Sequence, residues 1–162
     1  MGVKKDLRAL HEDYIDSLRK ITEEKLQQGA LIETVLSEDE GLVFKDGRRE
    51  KPKKIIIINI DREKRVCYGA LLINTRMNPK SGYSDEYMAA QYLLQEEKYP
   101  EFLKYDSYVD CSVIFSIPIE KLLRGKYFEK LKSEDLAGVL DLLETSEILT
   151  TKIKKRFNIK RR

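Results

Sequence analysis

KKIIIINIDREKRVCYGALLIN, residues 53–74, is the stretch that decides the fold. Side chains along a strand alternate between its two faces, so Ile55 to Ile58 cannot all point one way. Four β-branched residues in a row therefore predict a strand buried on both sides. Asp61-Arg62-Glu63-Lys64 reads as a tight polar turn, and the apolar run after it as the returning strand, so 53–74 is a β-hairpin. Ahead of the isoleucines stand Lys45, Arg48, Arg49, Lys51, Lys53 and Lys54. Pro52 lies among them; having no N–H to donate, it suits the start of a strand at a sheet edge, just before the ladder begins. A basic cluster at the mouth of the most buried strand suggests support for a polyanion site. A solvated surface cluster is the competing reading.

Working outward, Val3, Leu7, Leu10, Tyr14, Leu18 and Ile21 recur at three- and four-residue steps. They predict a helix over 3–27, stopped by Gly29, whose apolar face packs on the core or else projects and dimerises; packing is the expectation. ALIETVL and GLVF are short strand candidates around an acidic turn. TRMNPKSGYSD carries loop signals. DEYMAAQYLLQEE predicts an inserted helix near 85–97, with Met88, Tyr92 and Leu93 inward. SYVDCSVIFSI predicts one strand, with Val109, Cys111, Val113 and Phe115 on the core face and Asp110 and Ser112 on the polar one. Pro118 opens a short helix. Ser133 is the expected N-cap of a C-terminal helix over 133–156, followed by a basic tail at 157–162. Short strands and tight turns favour a small barrel or strongly bent antiparallel sheet in one domain, 1–162.

The composition excludes several classes. Charged residues make up 36% and hydrophobic residues 41%, which fits a charged-surface globular protein and not a disordered chain. No apolar run reaches the roughly 18 residues of a membrane span, and the charged N-terminus lacks a signal-peptide core, so a cytoplasmic location is expected. Cys67 and Cys111 form no metal motif and are expected as buried thiols. His11 is the one histidine, so neither a zinc site nor a Ser–His pair is expected, and no cofactor is. Residues 152–162 hold seven of the 31 lysines and arginines, leaving 24 against 28 acids elsewhere. That tail is either a nucleic-acid contact or a solvated helix end.

Lys51, Lys53, Asn74, Thr75, Arg76, Asp110 and Ser112 stand beside predicted strands. Such a set suits cleavage of RNA by its own 2′-hydroxyl, which needs a cation for the developing charge and groups that relay protons, but no metal. Strand ends also carry polar residues simply because they meet water.

EKPKKIIIINI, YGALLINTRMN and DSYVDCSVIFSI, followed by a proline-led short helix and a terminal helix, resemble the PemK/MazF-like toxins of type II toxin–antitoxin systems. The likeness runs over about 28–125 plus the terminal helix. It implies an α+β fold: a small SH3-like antiparallel β-barrel, here with an N-terminal helix, an inserted helix and C-terminal helices. It implies a metal-independent endoribonuclease acting on single-stranded RNA, a homodimer and an inhibitory antitoxin protein. Lys51-Pro52 stands where the family opens a strand with Arg-Pro, and lysine keeps the charge without the planar bidentate grip on phosphate. On this resemblance Lys51, Thr75 and Asp110 are the expected catalytic residues. Arg48, Arg49, Lys53, Asn74, Arg76 and Ser112 are the expected RNA contacts. A barrel that binds RNA or a protein partner without catalysis is the alternative, and a structural or interaction protein whose extra helices bind another chain is a third.

Overall fold

A computed structural model describes residues 3–42, 44, 47–73, 84–146, 149 and 155. The hairpin forms as its sequence dictates. Strands β1 (Ala30–Ser37), β2 (Glu50–Asp61) and β3 (Val66–Ile73) pair antiparallel in succession. In the β2–β3 turn the Asp61 carboxylate accepts the Lys64 N–H at 3.0 Å, and Arg65 takes a left-handed φ of 54°. The β2–β3 register shifts between Ile57 and Asn59, a bulge that gives Ile58 no opposite residue.

Helix α1 (Val3–Arg19) precedes β1; α2 (Asp85–Ala89), β4 (Gln91–Leu94), β5 (Ser107–Asp110), β6 (Phe115–Pro118), α3 (Ile119–Leu123), β7 (Lys126–Lys130) and α4 (Ser133–Thr145) follow β3. The seven strands among the described residues run in the order β4-β5-β3-β2-β1-β7, and β6 also pairs with β3. Every pairing is antiparallel. β3 joins the two parts of the sheet: its first half pairs with β6 and its end with β5. The architecture is α+β with an open sheet, not the closed barrel expected.

Both faces of the sheet are buried. Ile55, Ile56 and Ile57 have no exposed surface and Ile58 is 1% exposed, as the run of four requires. Ile56 and Ile58 join Leu31, Ala70, Leu72, Val109, Tyr99, Phe102 and the α4 residues Val139 and Leu143. Ile55 and Ile57 join Ile32, Leu36, Leu71, Leu26 and the α3 residues Ile119 and Leu122. Cys67 and Cys111 are free and buried, one in each core, and burial pushes both thiols up to about 12.

A buried polar cluster ties α4 to β4. Asp135, only 4% exposed, accepts the hydroxyls of Tyr92 at 2.8 Å and Tyr99 at 2.5 Å, while the Lys132 N–H donates to the Tyr99 oxygen. Tyr92 passes under Gly138 so closely that a Cβ there would overlap its ring.

Several expectations need correction. The first helix ends at Arg19, and Ile21 and Leu26 are buried by the 3-10 turn and loop that follow. Its apolar face does not pack: Leu7, Leu10, Tyr14 and Leu18 are 52–64% exposed. The inserted helix is one turn, after which the chain becomes β4, with Tyr92 against the core and Leu93 exposed. The strand expected from residue 107 onward is split into β5 and β6, because the Asp110 carboxylate folds back onto the N–H and hydroxyl of Ser112 and closes a turn. Gly41, Leu42 and Phe44 are not in a strand. Lys132, not Ser133, is the N-cap of α4, with no side-chain cap bond. The expected stretch of this helix beyond Thr145, and the tail at 157–162, fall outside the described residues apart from 146, 149 and 155. No helix among the described residues is long and apolar enough to cross a membrane.

Candidate nucleic-acid interface

Among the described residues the first part of β2 pairs with β1: Glu50 faces Ser37, Lys51 faces Leu36, Pro52 faces Val35 and Lys53 faces Thr34, whereas described pairing with β3 begins at Ile55. Pro52 therefore sits inside the β1–β2 ladder, not ahead of it. Its one partner strand among the described residues is β1, and a missing N–H is tolerated where a strand is paired on one side. Here the strand carries Lys51, Lys53 and Lys54 before entering the core.

A cleft of about 450 Å³ opens at this end of the sheet. Lys51, Lys53 and Lys54 line it from β2, Lys104 and Tyr105 from the loop before β5, and Leu72 and Ile73 from the end of β3. Glu33 on β1 is its one acid among the described residues. Four lysines and one glutamate among the described residues line the cleft, a balance that favours positive potential there. Aromatic rings help to hold two of the lysines. The Lys53 ammonium lies 5.9 Å from the centroid of Phe44, and that of Lys54 lies 5.5 Å from Phe102, which is itself buried.

The loop that supplies Lys104 and Tyr105 is pinned on both sides. Phe102 and Leu103 are buried just before it. The Asp106 carboxylate accepts the Glu96 N–H at 2.8 Å, and the Ser107 hydroxyl donates to the Tyr105 carbonyl at 3.0 Å. Tyr105 is nevertheless 53% exposed.

The residues expected from the sequence divide into three groups. Lys51 and Lys53 share the cleft. Arg48 and Arg49 are exposed in the segment between Gly47 and β2 and are not among the residues that line it, and the Arg49 carbonyl accepts the Glu38 N–H. Asp110 and Ser112 form a second cluster, which does not line the cleft. Asp110 is 9% exposed, and one of its carboxylate oxygens accepts from Gln91 at 3.0 Å and from both the N–H and the hydroxyl of Ser112. Its neighbour two residues back, Tyr108, pairs with the cleft residue Ile73. Asn74, Thr75 and Arg76 lie outside the described residues.

Sequence reasoning missed Lys104 and Tyr105 as site residues, and placed Lys54 in the basic cluster without naming it among the RNA contacts. The signal for the first two was the Lys-Tyr pair between an apolar anchor, Phe102-Leu103, and Asp106. The signal for Asp110 as a turn former was the short Asp-Cys-Ser spacing, since an aspartate readily bonds the backbone two residues on. No family model matches the chain, and no curated protein matches it significantly.

Proposed function

We propose that the lysine cleft holds the phosphates of single-stranded RNA, and that the chain is an endoribonuclease of PemK/MazF-like toxin type. The observation that carries this reading is that Lys51, Lys53, Lys54 and Lys104 line one cleft, with Glu33 as its one acid among the described residues. A polyanion gains there both Coulomb attraction and the entropy of released counterions. In the proposed reaction the RNA 2′-oxygen bonds to the adjacent phosphorus and the bond to the 5′-oxygen breaks. The 2′-hydroxyl gives up its proton and the leaving 5′-oxygen takes one. Lys51 offsets the charge that develops on the phosphate, Thr75 binds a phosphate oxygen, and Asp110 or Ser112 orients them. An SH3-like identity of the open sheet, a homodimer and an inhibitory antitoxin belong to the same proposal.

The second reading is an RNA-binding sheet without catalysis. It is favoured by Asp110, whose carboxylate is committed to its own turn and to Gln91. Incubation with single-stranded RNA in EDTA separates the two. Cleavage by the proposed route leaves a 2′,3′-cyclic phosphate and a 5′-hydroxyl, and Lys51→Ala abolishes it while Lys51→Arg keeps or raises it. Tight binding with intact RNA supports the second reading, and RNA that neither binds nor breaks overturns both.

A further inference from the structure

We propose that Tyr105 is a base-stacking platform, which makes the cleft selective for unpaired nucleotides; the inference rests on the cleft's holding nucleic-acid phosphates. An aromatic ring of this size is ordinarily turned into a core, as Tyr99 and Phe102 are three to six residues earlier. Tyr105 instead keeps half its surface in solvent at the edge of a cleft lined by four lysines. The pinned backbone explains how it stays there. Leu103 anchors the chain before it, and the Asp106 and Ser107 side chains fix the loop through Glu96 and the Tyr105 carbonyl. A ring presented on a loop that is already ordered pays little further entropy when a ligand covers it.

Lysines beside an exposed ring match the two parts of a single strand. The ammonium groups track the phosphates and the ring takes the face of a base, whichever base it is. A duplex hides its base faces in its own stack, so it meets the lysines and not the ring. A phosphate-bearing metabolite without a flat ring meets only the lysines as well. The substrate class that uses every feature of the cleft is a single-stranded nucleic acid with at least one base unstacked. The distinction between Tyr105 and Tyr14, the other strongly exposed tyrosine among the described residues, is its setting: Tyr14 lies on α1 and does not line this cleft.

The test uses the full chain and three fluorescein-labelled probes: a single-stranded 2′-O-methyl oligoadenylate, which lacks the attacking hydroxyl, an abasic strand of the same length, and an RNA duplex. Fluorescence anisotropy is expected to rank the oligoadenylate tightest. Tyr105→Ala is expected to weaken the oligoadenylate roughly 5- to 150-fold, the span of a single base–aromatic stack, and to leave the abasic strand unchanged. Tyr105→Phe is expected to bind as the wild type does, since the ring face and not the hydroxyl acts. Equal affinity of wild type and Tyr105→Ala for the oligoadenylate would overturn the proposal, as would a Tyr105→Ala loss of the same size on the abasic strand. A Lys51→Ala/Lys53→Ala/Lys54→Ala triple variant keeps the two readings apart. It is expected to weaken all three probes; if it weakens none, the phosphate reading fails and the Tyr105 proposal falls with it, whereas loss by the triple variant with no loss by Tyr105→Ala overturns the Tyr105 proposal alone.

Discussion

The two halves of β2 share a strand and a neighbour, yet they have opposite lives. Both pair with β1. From Ile55 onward β3 lies on the other side and a core covers each face. From Glu50 to Lys54 the described partner is β1 alone, and the strand carries three lysines and a proline. Burying an isoleucine is worth roughly 1.5–3 kcal/mol, and burying an unpaired ammonium costs more than that. The change from lysine to isoleucine at residue 55 therefore marks where the strand gains neighbours on all sides. The buried half makes the strand rigid, and the charged half is held at the rim by that rigidity.

That contrast breaks most easily in the buried half. Ile56→Ala and Ile57→Ala point into different cores, and each is expected to cost about 2–5 kcal/mol by denaturant unfolding. A large loss for one and almost none for the other would mean that only one face is truly packed. Gly138→Ala comes next. The added methyl meets the Tyr92 ring, and overpacking of this kind costs about 1–3 kcal/mol. Its effect should be seen as a lower thermal midpoint with the strand content retained.

A pH profile sharpens the same side of the comparison. Burial, and then the Asp135 carboxylate, push the Tyr92 hydroxyl up to about 12 and Tyr99 in the same direction. The folded state thus favours the neutral phenols. Their contribution is complete below the free phenol's value of about 10 and is lost as pH rises through the folded value. Tyr92→Phe should cost about 1 kcal/mol at neutral pH. It should also lose less stability than the wild type between pH 10 and 12, while Tyr99 preserves part of the slope. An identical alkaline slope in both proteins would show that Tyr92 is not held neutral by the fold. The smallest effect belongs to the charged half: Lys51→Ala should change stability by no more than about 0.5 kcal/mol, because a rim lysine contributes little.

How much of this was legible in the sequence depended on whether a residue's neighbours were local. The hairpin was legible because four consecutive isoleucines admit few alternatives. The short helix α3 after Pro118 and the two buried thiols could be read for similar reasons. The face of α1 was legible but its fate was not. Leu7, Leu10, Tyr14 and Leu18 have the spacing that Val139, Leu140 and Leu143 have in α4, yet only the α4 set is buried. Periodicity defines a face and leaves open what covers it. Gln91–Leu94 contains good helix formers and still forms a strand, because pairing with β5 and the reach of Tyr92 to Asp135 override propensity. In the candidate site, Lys51 and Lys53 could be found from their own charge cluster. Lys104 and Tyr105 could not, since only the fold brings a loop some fifty residues away to the mouth of β2.

The charged half of β2 is proposed to be a phosphate site. The salt dependence of RNA binding tests it most directly, because the slope of log K against log[salt] counts the phosphates that cations neutralise. The wild-type chain and the Lys51→Ala/Lys53→Ala/Lys54→Ala variant would be titrated with the 2′-O-methyl oligoadenylate over a series of salt concentrations. Weaker binding by the variant is expected, with a slope shallower by about 0.7 for each phosphate that is no longer neutralised and the unfolding midpoint nearly unchanged. The same affinity and the same slope in both proteins would contradict it.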